Sequence, residues 1–210
     1  MTVTGNITIT AASSSPNLAL MIPAGFIVEW NANLTANASA TPMNLTGGGD
    51  FVVESGNLTL TTGAISLIFT NGPTITITVN GGTLERTIGA RTIIGSGADV
   101  YINGGVVRGL GEANDGVIDV VSGGNVTITN GLVESLSATP ANRNAVQVHG
   151  GGNFTLSGNG TLIGSILGGT VKGADTAIVI VPSHTNNSFG TQIKEIICVP
   201  RERCQKPQPL

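Results

Sequence analysis

Short runs in which every second residue is apolar recur along the chain, as in Asn6-Ile7-Thr8-Ile9-Thr10 and Thr74-Ile75-Thr76-Ile77-Thr78, with Thr, Ser or Asn between. Alternation at period two puts one set of side chains on each side of a β-strand. Few stretches carry a helical period, so the predicted class is all-β. The runs also repeat as phrases: GGNVTITNG at 123–131 returns as GGNFTLSGNG at 151–160. A phrase that returns at a regular interval signals stacked structural repeats.

Aligned on the centre of that phrase, the chain gives Ile7/Ile9, Phe26/Val28, Phe51/Val53, Ile75/Ile77, Val100/Ile102, Val126/Ile128 and Phe154/Leu156, starting 19 to 28 residues apart. A second apolar pair follows in each unit: Leu18/Leu20, Met43/Leu45, Ile65/Leu67, Thr92/Ile94, Ile118/Val120, Val146/Val148 and Ile178/Ile180. Between the two lies a third short strand, marked by Leu34, Leu58, Leu84, Val107, Val133 and Leu162. Ser55-Gly56, Asn80-Gly81, Asn103-Gly104 and Asn130-Gly131 supply corners, because Gly and Asn tolerate the positive φ of a sharp turn.

Three short strands per unit, apolar inside and polar outside, describe one coil of a parallel β-solenoid. Seven coils at about 4.8 Å each predict a stack about 34 Å tall, with Val28, Val53, Ile77, Ile102, Ile128 and Leu156 in one inward column. Parallel crossovers favour one hand. The predicted fold is therefore a right-handed, three-sided parallel β-helix over residues 1–181, followed by a capping or docking tail over 182–210.

These coils resemble the right-handed parallel β-helix (pectate-lyase-like) superfamily, which includes pectate lyases, polygalacturonases, phage tailspikes and many bacterial surface proteins. The resemblance spans residues 3 to about 181 and implies the fold; the GGNVTITNG-like phrases are most similar to surface repeats. Asn114-Asp115-Gly116-Val117-Ile118-Asp119 is similar to the Asn-x-Asp-Gly-x-Asp element of polygalacturonases, with the spacing one residue off. The paired Asp of the following coil is absent, and Val148-His149-Gly150 departs from that family's Gly-His-Gly. Hydrolysis needs two carboxyls at a defined separation, and a lyase needs Ca²⁺ carboxylates with a base. Neither set is assembled, so no catalytic residue and no enzymatic activity are expected.

Composition narrows the classes further. Only 10% of the 210 residues are charged, 31 are Gly, and aromatics make up 3%. No basic stripe interleaves with aromatics, which argues against nucleic-acid binding, and no apolar run approaches the length of a membrane-spanning helix. Met1-Thr2-Val3-Thr4 lacks the pattern of a signal peptide, so either the chain starts after processing or export is not needed. The extracellular-looking composition nevertheless places the protein outside the cell or at its surface. Cys198 and Cys204 have no His nearby in sequence, which disfavours a zinc site; a small disulfide loop is favoured over two free thiols. No cofactor or metal is implied.

Charge is unevenly spread. No Lys or Arg precedes Arg86, whereas Glu29, Asp50, Glu54 and Glu85 do, and the tail carries Lys194, Arg201, Arg203 and Lys206. Glu29 and Glu54 fall one above the other, either as solvated like charges, as a shared cation site, or as partners for a basic group of another subunit. Glu85, Arg108 and Glu134 form an outward ladder of alternating sign that fixes register. Outward Thr8, Thr76, Thr78, Thr127 and Thr155 reflect ordinary β-propensity.

Connections from the second strand to the third lengthen toward the C-terminus: Gly109 to Gly116, Glu134 to Asn144, Ile163 to Thr176. They pile along one edge, where Glu112, Asp115, Asp119, Arg143, Lys172, Asp175 and the neighbouring His149 are the candidate ligand-binding or interface residues. Asn6, Asn33, Asn37, Asn44, Asn57, Asn125, Asn153, Asn159 and Asn186 carry the N-glycosylation pattern, which is also what a corner Asn before an outward Thr produces. The first coil lacks a capping helix, and a basic tail complements an acidic N-terminal half. The expected function is a structural subunit that self-assembles head to tail into a fibre; the alternative is an adhesin or tail-fibre-like module that binds glycans along the long-loop edge.

Overall fold

The structure, a computed structural model, describes residues 1–10, 17–37, 41–61, 65–72, 74–89, 91–110, 115–139, 142–172, 178–180, 198–199 and 203–204, with backbone alone for 169–172 and beyond. The strands stack in three faces. The first holds β1 (Ile7–Ile9), β3 (Ile27–Trp30), β6 (Asp50–Val53), β9 (Thr76–Val79), β12 (Asp99–Ile102) and β15 (Val126–Ile128). The second holds β4 (Leu34–Ala36), β7 (Asn57–Leu60), β10 (Thr83–Arg86), β13 (Val106–Gly109), β16 (Leu132–Ser135), β18 (Thr161–Ile163) and β20 (Ile178–Ile180). The third holds β2 (Leu18–Ile22), β5 (Met43–Gly47), β8 (Ile68–Asn71), β11 (Ile93–Ser96) and β14 (Ile118–Val121). Two long strands, β17 (Asn144–Leu156) and β19 (Ser165–Lys172), turn from the third face onto the first.

Pairing on the three faces is parallel, and no helix occurs among the described residues. The seven strands of the second face are separated by six turns, so the chain is a parallel β-solenoid of about six turns, all-β as expected. Its inside is apolar because the alternation faces inward on every strand. On the first face Val28, Phe51, Ile77, Val100, Val126 and Phe154 make one buried column, and Trp30, Val53, Val79, Ile102, Ile128 and Leu156 the next. The second face stacks Leu34, Leu58, Leu84, Val107, Val133 and Leu162, as the sequence predicts. Trp30 packs 6.3 Å from Phe51 ring to ring.

The register corrects several expectations. Val28 pairs with Phe51 and Ile77 with Phe51 and Val100, so the anticipated single column is really two, offset by one inward position. Phe26 and Ile75 sit at the corners before their strands, where they extend the apolar alternation by one step. On the third face the inward pairs are Ile68/Thr70 and Ile93/Gly95, displaced from Ile65/Leu67 and Thr92/Ile94. Ile178 and Ile180 belong to the second face, opposite Thr161 and Ile163, because the stretch expected to be a loop at 163–176 contains β19, which adds a rung to the other two faces.

Glu29 consequently lies beside Val52, with Thr8 Oγ1 donating to its carboxylate at 3.0 Å, while Glu54 accepts from Asn80 Nδ2 at 2.8 Å; the two acids are not stacked. The Glu85–Arg108–Glu134 ladder is in register, with Arg108 Nη2 2.9 Å from Glu85 Oε2. Corner side chains continue from coil to coil. Asn153 donates to Asn125 at 2.8 Å and Asn125 to Asp99 at 2.7 Å; Thr129 donates to Asn103 at 2.9 Å and Asn103 to Asn80 at 3.2 Å.

At the N-terminal end residues 1–3 run alongside β2, with Thr2 bridged to Met21 and Met1 O accepting from Met21 N. The second face closes there, since Leu34 and Ala36 are buried. The first face does not, since the inward Ile7 and Ile9 are only half-buried; on the third face the inward Leu18 at this end and Ile166 at the other are half-buried too. The expected open apolar interior is thus confined to part of each end.

Candidate functional site

One of the long connections, the one that carries Asp115, meets the outer side of the third face. Its outward row runs Ala19, Asn44, Phe69, Ile94, Asp119, Gln147, Leu167. Arg91, just before β11, reaches the rung above and binds two carboxylates: its Nη2 pairs with Asp115 and its Nε lies 3.0 Å from Asp119 Oδ2. Arg86 holds that connection in place by donating to the carbonyls of Ile65, at 2.7 Å, and Arg91, at 3.2 Å. One rung further, His149 Nε2 stands 3.6 Å from Asp119 Oδ1.

Asp119 is 4% exposed, although its position on β14 faces outward. Burial pushes its carboxyl above the ordinary carboxylate range, an effect that Arg91 and His149 oppose and Asp115 adds to. Beside it Gln147 is equally buried. Asp119 Oδ1 and Gln147 Oε1 accept no hydrogen bond among the described residues, so two acceptors stand on adjacent rungs. Such a cluster clasps three successive coils, with two buried acceptors left without a donor among the described residues.

Of the residues proposed from sequence, Asp115, Asp119 and His149 come together here. Arg143 does not join them: its Nε donates to Ser137 O at 2.8 Å and its carbonyl accepts from Ser165, so it folds its own connection. The backbone at Lys172 lies on the first face opposite Thr155, away from the cluster. Glu112 and Asp175, with the tail residues Lys194, Arg201 and Lys206, lie outside the described residues. In the tail, β21 (Cys198–Val199) and β22 (Arg203–Cys204) pair antiparallel with Cys198 opposite Cys204. Directly opposed residues have Cα atoms about 4.5–5.5 Å apart, a separation a disulfide can span.

Arg91, the centre of the cluster, was not among the sequence candidates. Framing Thr92 and Ile94 as inward hid it, because a one-residue slip exchanges the faces of a strand. With Ile93 aligned on Ile118, Ile94 turns outward beside Asp119 and Arg91 falls one rung below Gly116, next to Asp115. Among the described residues no three His, Cys, Asp or Glu side chains converge as metal ligands, and no helix is long and apolar enough to cross a membrane. No known protein family matches the chain, and no solved structure matches it.

Proposed function

We propose that the chain is a structural β-solenoid subunit that stacks head to tail into an extracellular or surface fibre, without enzymatic turnover. The observation that supports it most is the state of the two ends. Ile7 and Ile9 on the first face and Leu18 on the third face at one end, and Ile166 on the third face at the other, are inward residues left half-buried, whereas the residues of their columns in the coils between are buried. Part of each end therefore presents partly exposed inward apolar side chains in the register of the internal coils, which supports stacking of one subunit on the next. A contact between unlike ends does not close on itself and so propagates. Glu29 and Glu54, on the second and third rungs of the first face, supply the acidic charge that a basic tail arriving from a neighbour would meet.

The test compares the full chain with one lacking residues 182–210, by sedimentation and negative-stain microscopy at matched concentration. Fibres from the full chain that are lost on truncation, with the coils still folded by circular dichroism, are expected. A full chain that stays monomeric and associates only after truncation means that the tail caps its own last coil, and the fibre reading fails.

A second reading, an adhesin-like glycan-binding module, is favoured by the buried acceptors Asp119 Oδ1 and Gln147 Oε1 beside Arg91 and His149. Binding of a soluble glycan to the wild-type chain and not to Asp119→Asn in calorimetry would favour it over the fibre.

A further inference from the structure

Asp119 on β14 and Gln147 on β17 occupy the same place on successive rungs, in the outward row of the third face. Both are buried, as are Ile94 on the rung before them and Leu167 on the rung after. Each holds an oxygen that accepts no hydrogen bond, Asp119 Oδ1 and Gln147 Oε1. Acceptors on neighbouring rungs cannot satisfy one another, and leaving them buried without a donor is costly.

The charges around them are also unbalanced. Among the described residues, Arg91 from the connection before β11 and His149 from β17 face Asp119, and Asp115 from the connection before β14 stands beside it; β11 and β19 contribute the uncharged Ile94 and Leu167 to the row. Arg91 is shared between two carboxylates, with Nη2 on Asp115 and Nε on Asp119 Oδ2. One guanidinium thus serves two acids, and Asp119 Oδ1 is the oxygen turned away from it.

We propose that Asp119 takes up a proton at Oδ1 and donates it to Gln147 Oε1, an acid-closed clasp between the rungs of β14 and β17. It goes beyond the fibre reading and does not depend on it. Hydronium supplies the proton, one O–H bond forms on Oδ1, and water is released. A single hydrogen bond then satisfies both oxygens, while Oδ2 stays against Arg91. A proton on His149 would do less. Its Nε2 stands 3.6 Å from Oδ1, beyond ordinary hydrogen-bond length, and Gln147 Oε1 would still lack a donor. Burial of Asp119 acts in the same direction, since it favours the neutral acid.

Infrared difference spectroscopy tests this in free and assembled chains alike. The carboxylic-acid C=O band that is present in wild type and absent from Asp119→Asn is followed between pH 4 and 7. The comparison is Gln147→Met, which keeps the side-chain length and removes the acceptor, with circular dichroism to check the fold. In Gln147→Met the band should rise in frequency, because the O–H no longer donates, and its midpoint should fall in pH, because the neutral acid has lost its partner. The same substitution should lower the folded-to-unfolded ratio in urea roughly fivefold at the acid end of the range and less at neutrality. A midpoint that rises instead means that Gln147 donates its amide to the carboxylate, and one that stays means that the two groups do not meet; either overturns the clasp. So does a wild-type chain in which no Asp119 band appears down to pH 4. If Gln147→Met does not fold, the wild-type frequency decides, since an acid donating to an amide absorbs lower than one donating to nothing, and the higher frequency overturns the clasp. None of these outcomes depends on whether the chain forms fibres, so the clasp and the fibre reading fail separately.

Discussion

Asp119 shows how a single residue can reverse the usual effect of acid on a protein. A carboxylate held by charge partners ordinarily has its pKa lowered and loses stability on acidification. Here burial outweighs Arg91, His149 and the hydrogen bonds available, and the folded-state pKa is raised. The native chain then binds the proton more tightly than the unfolded one. The stability this group contributes is complete below the unfolded-state pKa and is lost as pH rises through the folded value. Asp119→Asn keeps the shape and removes the titration. Urea unfolding between pH 4 and 7 should show the wild-type chain losing stability relative to the variant as pH rises. A relative gain for the wild type over that range means that Arg91 and His149 prevail over burial. Little of this was legible in sequence: Asp119 was picked out, but its burial depends on Arg91, whose place follows only from the rung alignment.

Strands and corners explain which parts of the register could be read. The second face was legible because each of its strands has one strong apolar position, from Leu34 to Leu162, followed at a near-constant distance from the corner. The first face was legible only up to a shift of two. Phe26, Val28 and Trp30 alternate without a break, as do Ile75, Ile77 and Val79, and alternation alone cannot say which two of three are paired. The third face was obscured for a different reason: its inward positions include Thr70 and Gly95, which carry no apolar signal, and Thr70 is retained by accepting a hydrogen bond from Ser96 N at 3.1 Å.

Corners are where the coils come closest, and they separate two kinds of glycine. Gly82 has φ +74°, and a Cβ there would meet Gly56 O at 2.2 Å in the coil below; Gly25 has a similar φ of +83° with nothing within 4 Å. Gly25→Ala should therefore cost about 1 kcal/mol, the strain of a left-handed backbone. Gly82→Ala adds a backbone clash that forces two coils apart, and should cost roughly 3 kcal/mol or more. Equal losses in thermal or urea unfolding would show that stacking at this corner is looser than the structure describes.

For the whole molecule, stability is a sum over coils and the interfaces between them, so the effect of a substitution depends on where it sits in the stack. Ile102 is wholly buried between the columns of β9 and β15, and Ile102→Lys places a charge where coils contact on both sides. That change should unfold the chain or destabilise it by roughly 3–5 kcal/mol. Ile9 points inward in the same column but belongs to the end strand, has a described neighbour on one side only, and is half-buried. In a monomer, Ile9→Lys can turn its ammonium toward water, so most of the coils should unfold at nearly the wild-type denaturant concentration. In a fibre the same position is internal, facing the last coil of the next subunit, and the lysine is buried at every junction. The expected result is a variant that is as well folded as the wild type by circular dichroism but sediments as a monomer, while the wild type forms long particles. If Ile9→Lys leaves the particle length unchanged, the N-terminal coil is not the surface on which subunits meet.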